Sequence, residues 1–239
     1  MLKFLLDILF PQETCCLCRK PGRYSSRHPW CHDCKEKMRS LSMSSPVCKR
    51  CGKYIHVEQV LCTDCKTHPP RFEIARAVGP YEDCFRISTK VLKFMGRKQL
   101  AVKMGHMMAD KVKEEPGFGY IDMVVPVPIS RGSLKQRGFN QAEILARQIA
   151  KELKAPMHKH AIIRIKETPS QRELSKEDRE KNLLYAFQVK HASKVKEKNV
   201  LLVDDVYTTG STGRECTRVL MDAGAKQVGI ITWATGQGF

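Results

Sequence analysis

The chain has 239 residues, with 42 Lys and Arg against 25 Asp and Glu, a formal charge of +17 and a pI near 9.5. That length fits one α/β domain with a small appendage, and the charge lies far from the balance of an ordinary metabolic enzyme, pointing to a polyanionic partner such as nucleic acid. No run approaches the roughly 20 apolar residues of a membrane span, which excludes an integral membrane protein.

The opening MLKFLLDILFP is short, is broken by Asp7 and lacks a small-residue cleavage site. It therefore reads as an amphipathic helix docking on the protein or a partner, not as an export signal. Nine of the eleven cysteines then fall between Cys15 and Cys65, and KTHPPRF follows them. Two domains are expected, 1–68 and 69–239. Dense cysteines without an export signal indicate metal in a reducing, cytoplasmic setting more than disulfides.

The cysteines form four Cys-x-x-Cys pairs: Cys15 with Cys18, Cys31 with Cys34, Cys48 with Cys51, and Cys62 with Cys65. WCHDCK and LCTDCK close two tandem units, and Gly22 and Gly52 follow the opening pairs. One such turn places two thiolates about 3 to 4 Å apart, so two turns complete a closed, four-thiolate structural Zn²⁺ site. Eight ligands make two sites, with Cys16, His28, His32 and His56 as surface or neighbouring groups. Segments this small rely on metal for much of their folding energy, and the ribbon is expected to have a core separate from that of the second domain.

Residues 83–95 and 98–114 carry helical spacing, the second with Leu100, Met104, Met107, Met108 and Val112 on one stripe. IDMVV is a buried strand, PVPISRGSLKQRG a basic loop, and FNQAEILARQIAKEL a helix stopped by Pro156. His160–Ile165 reads as a strand, followed by the polar KETPSQRELSKEDREKN. A third strand covers Asn199–Val203, STGRECTRVLMDAG a helix, and VGIITWA a last buried strand. Strands alternating with helices imply an open, mostly parallel sheet.

LLVDDVYTTGST joins the third strand to its helix, at the place where such sheets bind ligands. Backbone N–H groups around Thr209, Gly210 and Ser211, with the hydroxyls of Thr208, Thr209, Ser211 and Thr212, can surround a phosphate at a helix N-terminus. Asp204 and Asp205 suit the vicinal hydroxyls of a ribose. Together they complement a ribose 5-phosphate.

This pattern resembles the binding loop of the type I phosphoribosyltransferases for 5-phosphoribosyl 1-pyrophosphate (PRPP). The resemblance implies that fold, PRPP with Mg²⁺ as ligand, the two acids on the ribose hydroxyls and the Thr-Thr-Gly-x-Thr segment on the 5-phosphate. It also places Arg131, Lys135 and Arg137 against the pyrophosphate, and TPSQREL, with Gln171 and Arg172, over the site. Read whole, the cysteine pairs, VLKFMGRKQLA, VPVPISRGSLKQRGFNQAEILA, TPSQRELSKEDREKNLLYAF and the loop resemble, in order, the ComF family of competence proteins. That family implies a part in natural transformation and in handling incoming single-stranded DNA, with the uptake machinery, including a helicase-type protein, as partner. Such a protein is cytoplasmic, or peripheral at the inner membrane face through that machinery. Two alternatives are an active phosphoribosyltransferase on an unidentified nucleobase or nucleotide, and a PRPP-sensing regulator. Trp30, Phe72, Tyr81, Phe94 and Phe139 are the aromatics available for stacking, although core positions suit them equally well.

Overall fold

The computed structural model describes residues 12–25, 27–95, 100–166 and 185–238. A hairpin of β1 (Gln12–Thr14) and β2 (Pro21–Tyr24) is followed by α1 (His32–Ser42) and the short α2 (Thr63–Thr67). Then come β3 (Ile74–Pro80), α3 (Asp83–Phe94), α4 (Leu100–Glu114) and β4 (Met123–Pro126). After these lie α5 (Arg131–Arg137), α6 (Gln141–Leu153), β5 (Ile162–Arg164) and β6 (Phe187–Val189). The chain closes with β7 (Asn199–Tyr207), α7 (Ser211–Asp222) and β8 (Gln227–Thr235).

Four strands form one sheet in the order β3-β8-β7-β4, and every neighbouring pair is parallel. A parallel sheet is covered on both faces, so its strands read as near-continuous apolar runs, and all four residues of β4 are buried. The pleat divides these residues between two cores. Ile74, Val124, Leu201, Val203, Ile231 and Trp233 face α3, α4 and α6. Ala75, Met123, Val125, Val200, Leu202 and Ile230 face α7. This is the α/β phosphoribosyltransferase arrangement expected, with a double ribbon ahead of it.

Several expectations are corrected. The basic segment after β4 is not all loop: seven of its residues form α5, because Ser130 Oγ accepts the Ser133 N–H (3.1 Å) and Gly138 ends the helix in the left-handed region. The strand at 160–165 shortens to β5, which pairs antiparallel with β6 and stays outside the parallel sheet. β7 does not stop at Val203; pairing with β8 carries it through both acids to Tyr207. β3 and β6 had no counterpart in the sequence reading. The ribbon has no separate core either, since Cys15 and Cys34 join one core and Cys48, Cys51, Cys62 and Cys65 the other. The opening segment MLKFLLDILFP, expected to be helical, and the TPSQREL segment lie outside the described residues.

Candidate functional site: a cleft at the sheet's carboxyl edge

A cleft of about 1080 Å³ opens at the carboxyl ends of the strands. Asp204, Asp205 and Thr208 through Gly213 line one side, and Pro128–Ser130, Arg137 and Gln141 another. Lys90, Lys93 and Phe94 of α3, with Arg164 of β5, complete the basic rim.

The acids occupy different surroundings although they are adjacent. Asp205 is buried, with only 4% of its surface exposed, and forms an ion pair with Lys93. Burial pushes its carboxyl up, but Lys93 outweighs this and holds it below the ordinary range. Asp204 is half-buried and its Oδ1 accepts the Asp205 N–H at 2.8 Å. Desolvation, then the neighbouring charge of Asp205, hold Asp204 well above the carboxylate range. The carboxyl beside the cation thus gives up its proton more readily than a free carboxyl, and its neighbour holds its proton more tightly.

The phosphate-type loop is braced at both ends. Tyr207 O accepts from the Gly236 N–H at 2.9 Å and from Thr235 Oγ1 at 3.1 Å. Gly210, with φ of 85°, caps α7, a conformation costly for other residues. Thr209 Oγ1 and Ser211 Oγ lie 2.8 Å apart, so the hydroxyls cluster where the first amides of α7 open towards the cleft.

The cations predicted for the pyrophosphate divide. Arg137 lines the cleft, donates to Gln141 Oε1 at 3.0 Å and stacks 5.3 Å from the centre of the Phe94 ring. Arg131 and Lys135 are exposed on α5, outside the cleft lining. Lys90, Lys93 and Arg164 are the cleft cations that sequence reasoning missed. Lys93 lies within VLKFMGRKQLA, and Lys90 and Lys93 are one helical turn apart, so the signal was present without its context. Of the five aromatics, Tyr81 and the half-exposed Phe94 line the cleft, whereas Trp30 and Phe72 are core.

The eight paired cysteines gather as expected into two groups, Cys15, Cys18, Cys31 and Cys34, and Cys48, Cys51, Cys62 and Cys65. Within each, all sulfurs lie within 4.8 Å of one another, with close pairs at 3.9 Å (Cys15–Cys34), 3.6 Å (Cys18–Cys31) and 3.5 Å (Cys51–Cys62). A tetrahedron of 2.3 Å zinc–sulfur bonds requires sulfurs about 3.8 Å apart, so both donor sets fit structural Zn²⁺. Cys16, His28, His32 and His56 belong to neither group.

Residues 98–237 match the phosphoribosyl transferase domain family, and residues 5–66 match the double zinc ribbon domain family. The chain belongs to the phosphoribosyltransferase family. It is also a homologue of the competence proteins. Competence protein F of Haemophilus influenzae (strain Rd) is 26% identical over 219 residues, covering 90% of this chain and 94% of that one. DNA utilization protein YhgH of Escherichia coli (strain K12) is 28% identical over 222 residues, with shares of 90% and 94%. Competence protein ComFC of Bacillus subtilis (strain 168) is 29% identical over 205 residues, covering 81% and 78%. These matches span ribbon and transferase domain together. Among the described residues no helix is long and apolar enough to cross a membrane.

Proposed function

We propose that this protein acts in competence, in the uptake or handling of incoming single-stranded DNA, and that its cleft binds PRPP together with Mg²⁺. The observation that carries the ligand is the joining, in one turn of chain, of two carboxyls and a hydroxyl-lined helix N-terminus. The 5-phosphate is assigned to Thr208–Thr212, the ribose diol to Asp204 and Asp205, and the pyrophosphate to the basic rim with Arg137 foremost and Arg131 and Lys135 further out. Mg²⁺ would neutralise the pyrophosphate oxygens. The names of the relatives support the competence role; a cytoplasmic setting beside the uptake machinery, with a helicase-type protein as partner, belongs to the same proposal.

The same geometry argues that DNA does not enter the acid pair. Deoxyribose lacks the 2′ hydroxyl and its 3′ oxygen is esterified within a strand, so the two carboxyls would face no diol and would lose the hydrogen bonds that the site offers. DNA is therefore assigned to the wider basic surface. An exposed Phe94 beside the cleft favours a second reading, in which an acceptor base stacks there and the site turns over. The C1–oxygen bond would break, pyrophosphate leaving with the electron pair, while an acceptor lone pair forms the new bond at C1 and the acceptor sheds its proton.

Titration calorimetry with PRPP, with and without Mg²⁺, tests the ligand. A saturable one-to-one heat that depends on Mg²⁺ is expected, and no heat in either condition overturns the assignment. Pyrophosphate release over a panel of nucleobases then separates a binder from a transferase.

A further inference from the structure

The two cysteine groups lie on opposite faces of the sheet. Cys15 and Cys34 share a core with Trp30, Met38 and Trp233, whereas Cys48, Cys51, Cys62 and Cys65 share one with Phe72, Tyr207 and α7. Tyr207 is the residue from which the loop Thr208–Thr212 departs, so the second group underlies that loop and the first lies across the sheet.

Three tethers join the second group to the loop. Phe72, fully buried in the core of that group, meets the Tyr207 ring edge-on at 6.2 Å between centres. The Tyr207 ring forms the floor of the loop: a Cβ at Gly210 would collide with its hydroxyl, and one at Gly213 would come within 3.2 Å of the ring. The C-terminal segment is the second tether. Gly236 N–H donates to Tyr207 O, and two residues on, Gly238 N–H donates to Tyr54 O at 2.8 Å. Gly238 packs so tightly there that a Cβ would lie 2.9 Å from the Cys62 Cβ and 3.0 Å from the Lys53 Cβ. Third, Arg214 in the first turn of α7 donates to His68 O at 2.7 Å, three residues beyond Cys65.

We propose that the second cysteine knuckle is a positioning element for the ligand loop, and that Thr208–Arg214 keeps its binding geometry only while Cys48, Cys51, Cys62 and Cys65 hold their ion. The role as a ligand loop rests on the reading given above; the mechanical link does not. A knuckle this small is ordered by its metal, so losing the ion frees Phe72, Tyr54 and the C-terminal segment together. A loop that must then be ordered at the moment of binding binds more weakly. The first knuckle, packed on the opposite face, leaves the loop unaffected.

Hydrogen exchange by mass spectrometry on the full chain tests this without any ligand, with metal content measured alongside. Cys48→Ser and Cys15→Ser should each lose one ion. Amides of 208–214 should exchange at least about ten-fold faster in Cys48→Ser and within about two-fold of the parent in Cys15→Ser. Where both bind PRPP, its Kd should rise about ten-fold in the former alone. Should Cys48→Ser fail to fold, Phe72→Leu keeps all eight sulfurs, so it should retain both ions and still show the faster loop exchange. Parent-like exchange in Cys48→Ser after loss of its ion, or in Phe72→Leu, overturns the proposal, as does an equal acceleration in Cys15→Ser. A parent protein that ignores PRPP but shows the predicted exchange pattern removes the ligand assignment and leaves the positioning role standing.

Discussion

Asp204 and Asp205 have opposite proton affinities, and each leads to a prediction. In the unfolded chain Asp204 returns to about 3.9, so the folded protein holds its proton more tightly. Stability contributed at this site therefore falls as pH rises from about 4 towards the raised value. Asp204→Asn should remove that slope, raising the melting temperature at pH 7 with little change near pH 3.5, while PRPP binding weakens by about 1–3 kcal/mol. A melting temperature at pH 7 that stays level or drops counts against the raised value. Asp205, held low by Lys93, contributes stability above its unfolded value that is lost as the pH falls. Lys93→Met strands a buried carboxylate and should cost on the order of 3 kcal/mol by urea denaturation. Adding Asp205→Asn should recover much of this; a double variant no more stable than the single would show that the pair is not coupled.

At the scale of elements, α6 fixes the back of the cleft. Asn140 Oδ1 accepts the Ala142 N–H and its Nδ2 donates to Val127 O, both at 3.0 Å, so one side chain caps the helix and anchors it to the end of β4. The next residue, Gln141, is buried, accepts from Arg137 and lines the cleft with Asp205. Asn140→Ala should lose about 1–2 kcal/mol of stability and also weaken PRPP binding, because Gln141 shifts with the helix start. Lost stability with unchanged affinity would restrict Asn140 to a structural role. The apolar period of FNQAEILARQIAKEL announced this helix, whereas α5 was illegible. It has only seven residues, its Leu134 is largely exposed, and its end caps, not an apolar stripe, hold it.

Across the whole molecule, positive charge is distributed over both parts: 14 Lys and Arg against 7 Asp and Glu up to residue 80, and 28 against 18 beyond it. Single-stranded DNA bound along such a surface should weaken steeply with salt, each neutralised phosphate adding roughly −0.7 to the log–log slope. Sequence preference should be slight. Labelled oligonucleotides titrated against the full chain at several salt concentrations check this, and absence of binding at low salt removes direct DNA contact. The shared cores add a structural constraint: ribbon cysteines pack on both faces of the sheet, so ribbon and sheet cannot be treated as independent folding units.

What the sequence determined lies within short windows of chain. The four cysteine pairs name their ligand sets, because each turn brings its own two sulfurs together. LLVDDVYTTGST names its loop, because strand, acids, glycine and helix start are covalent neighbours. Only the tertiary structure decided what those pieces meet. It brought Lys93 onto Asp205, left Arg131 and Lys135 outside the cleft, and set β5 against β6 instead of in the main sheet. It also put the second knuckle beneath Tyr207. These outcomes depend on packing and desolvation between segments far apart in sequence, and no local pattern of residue types encodes such distances.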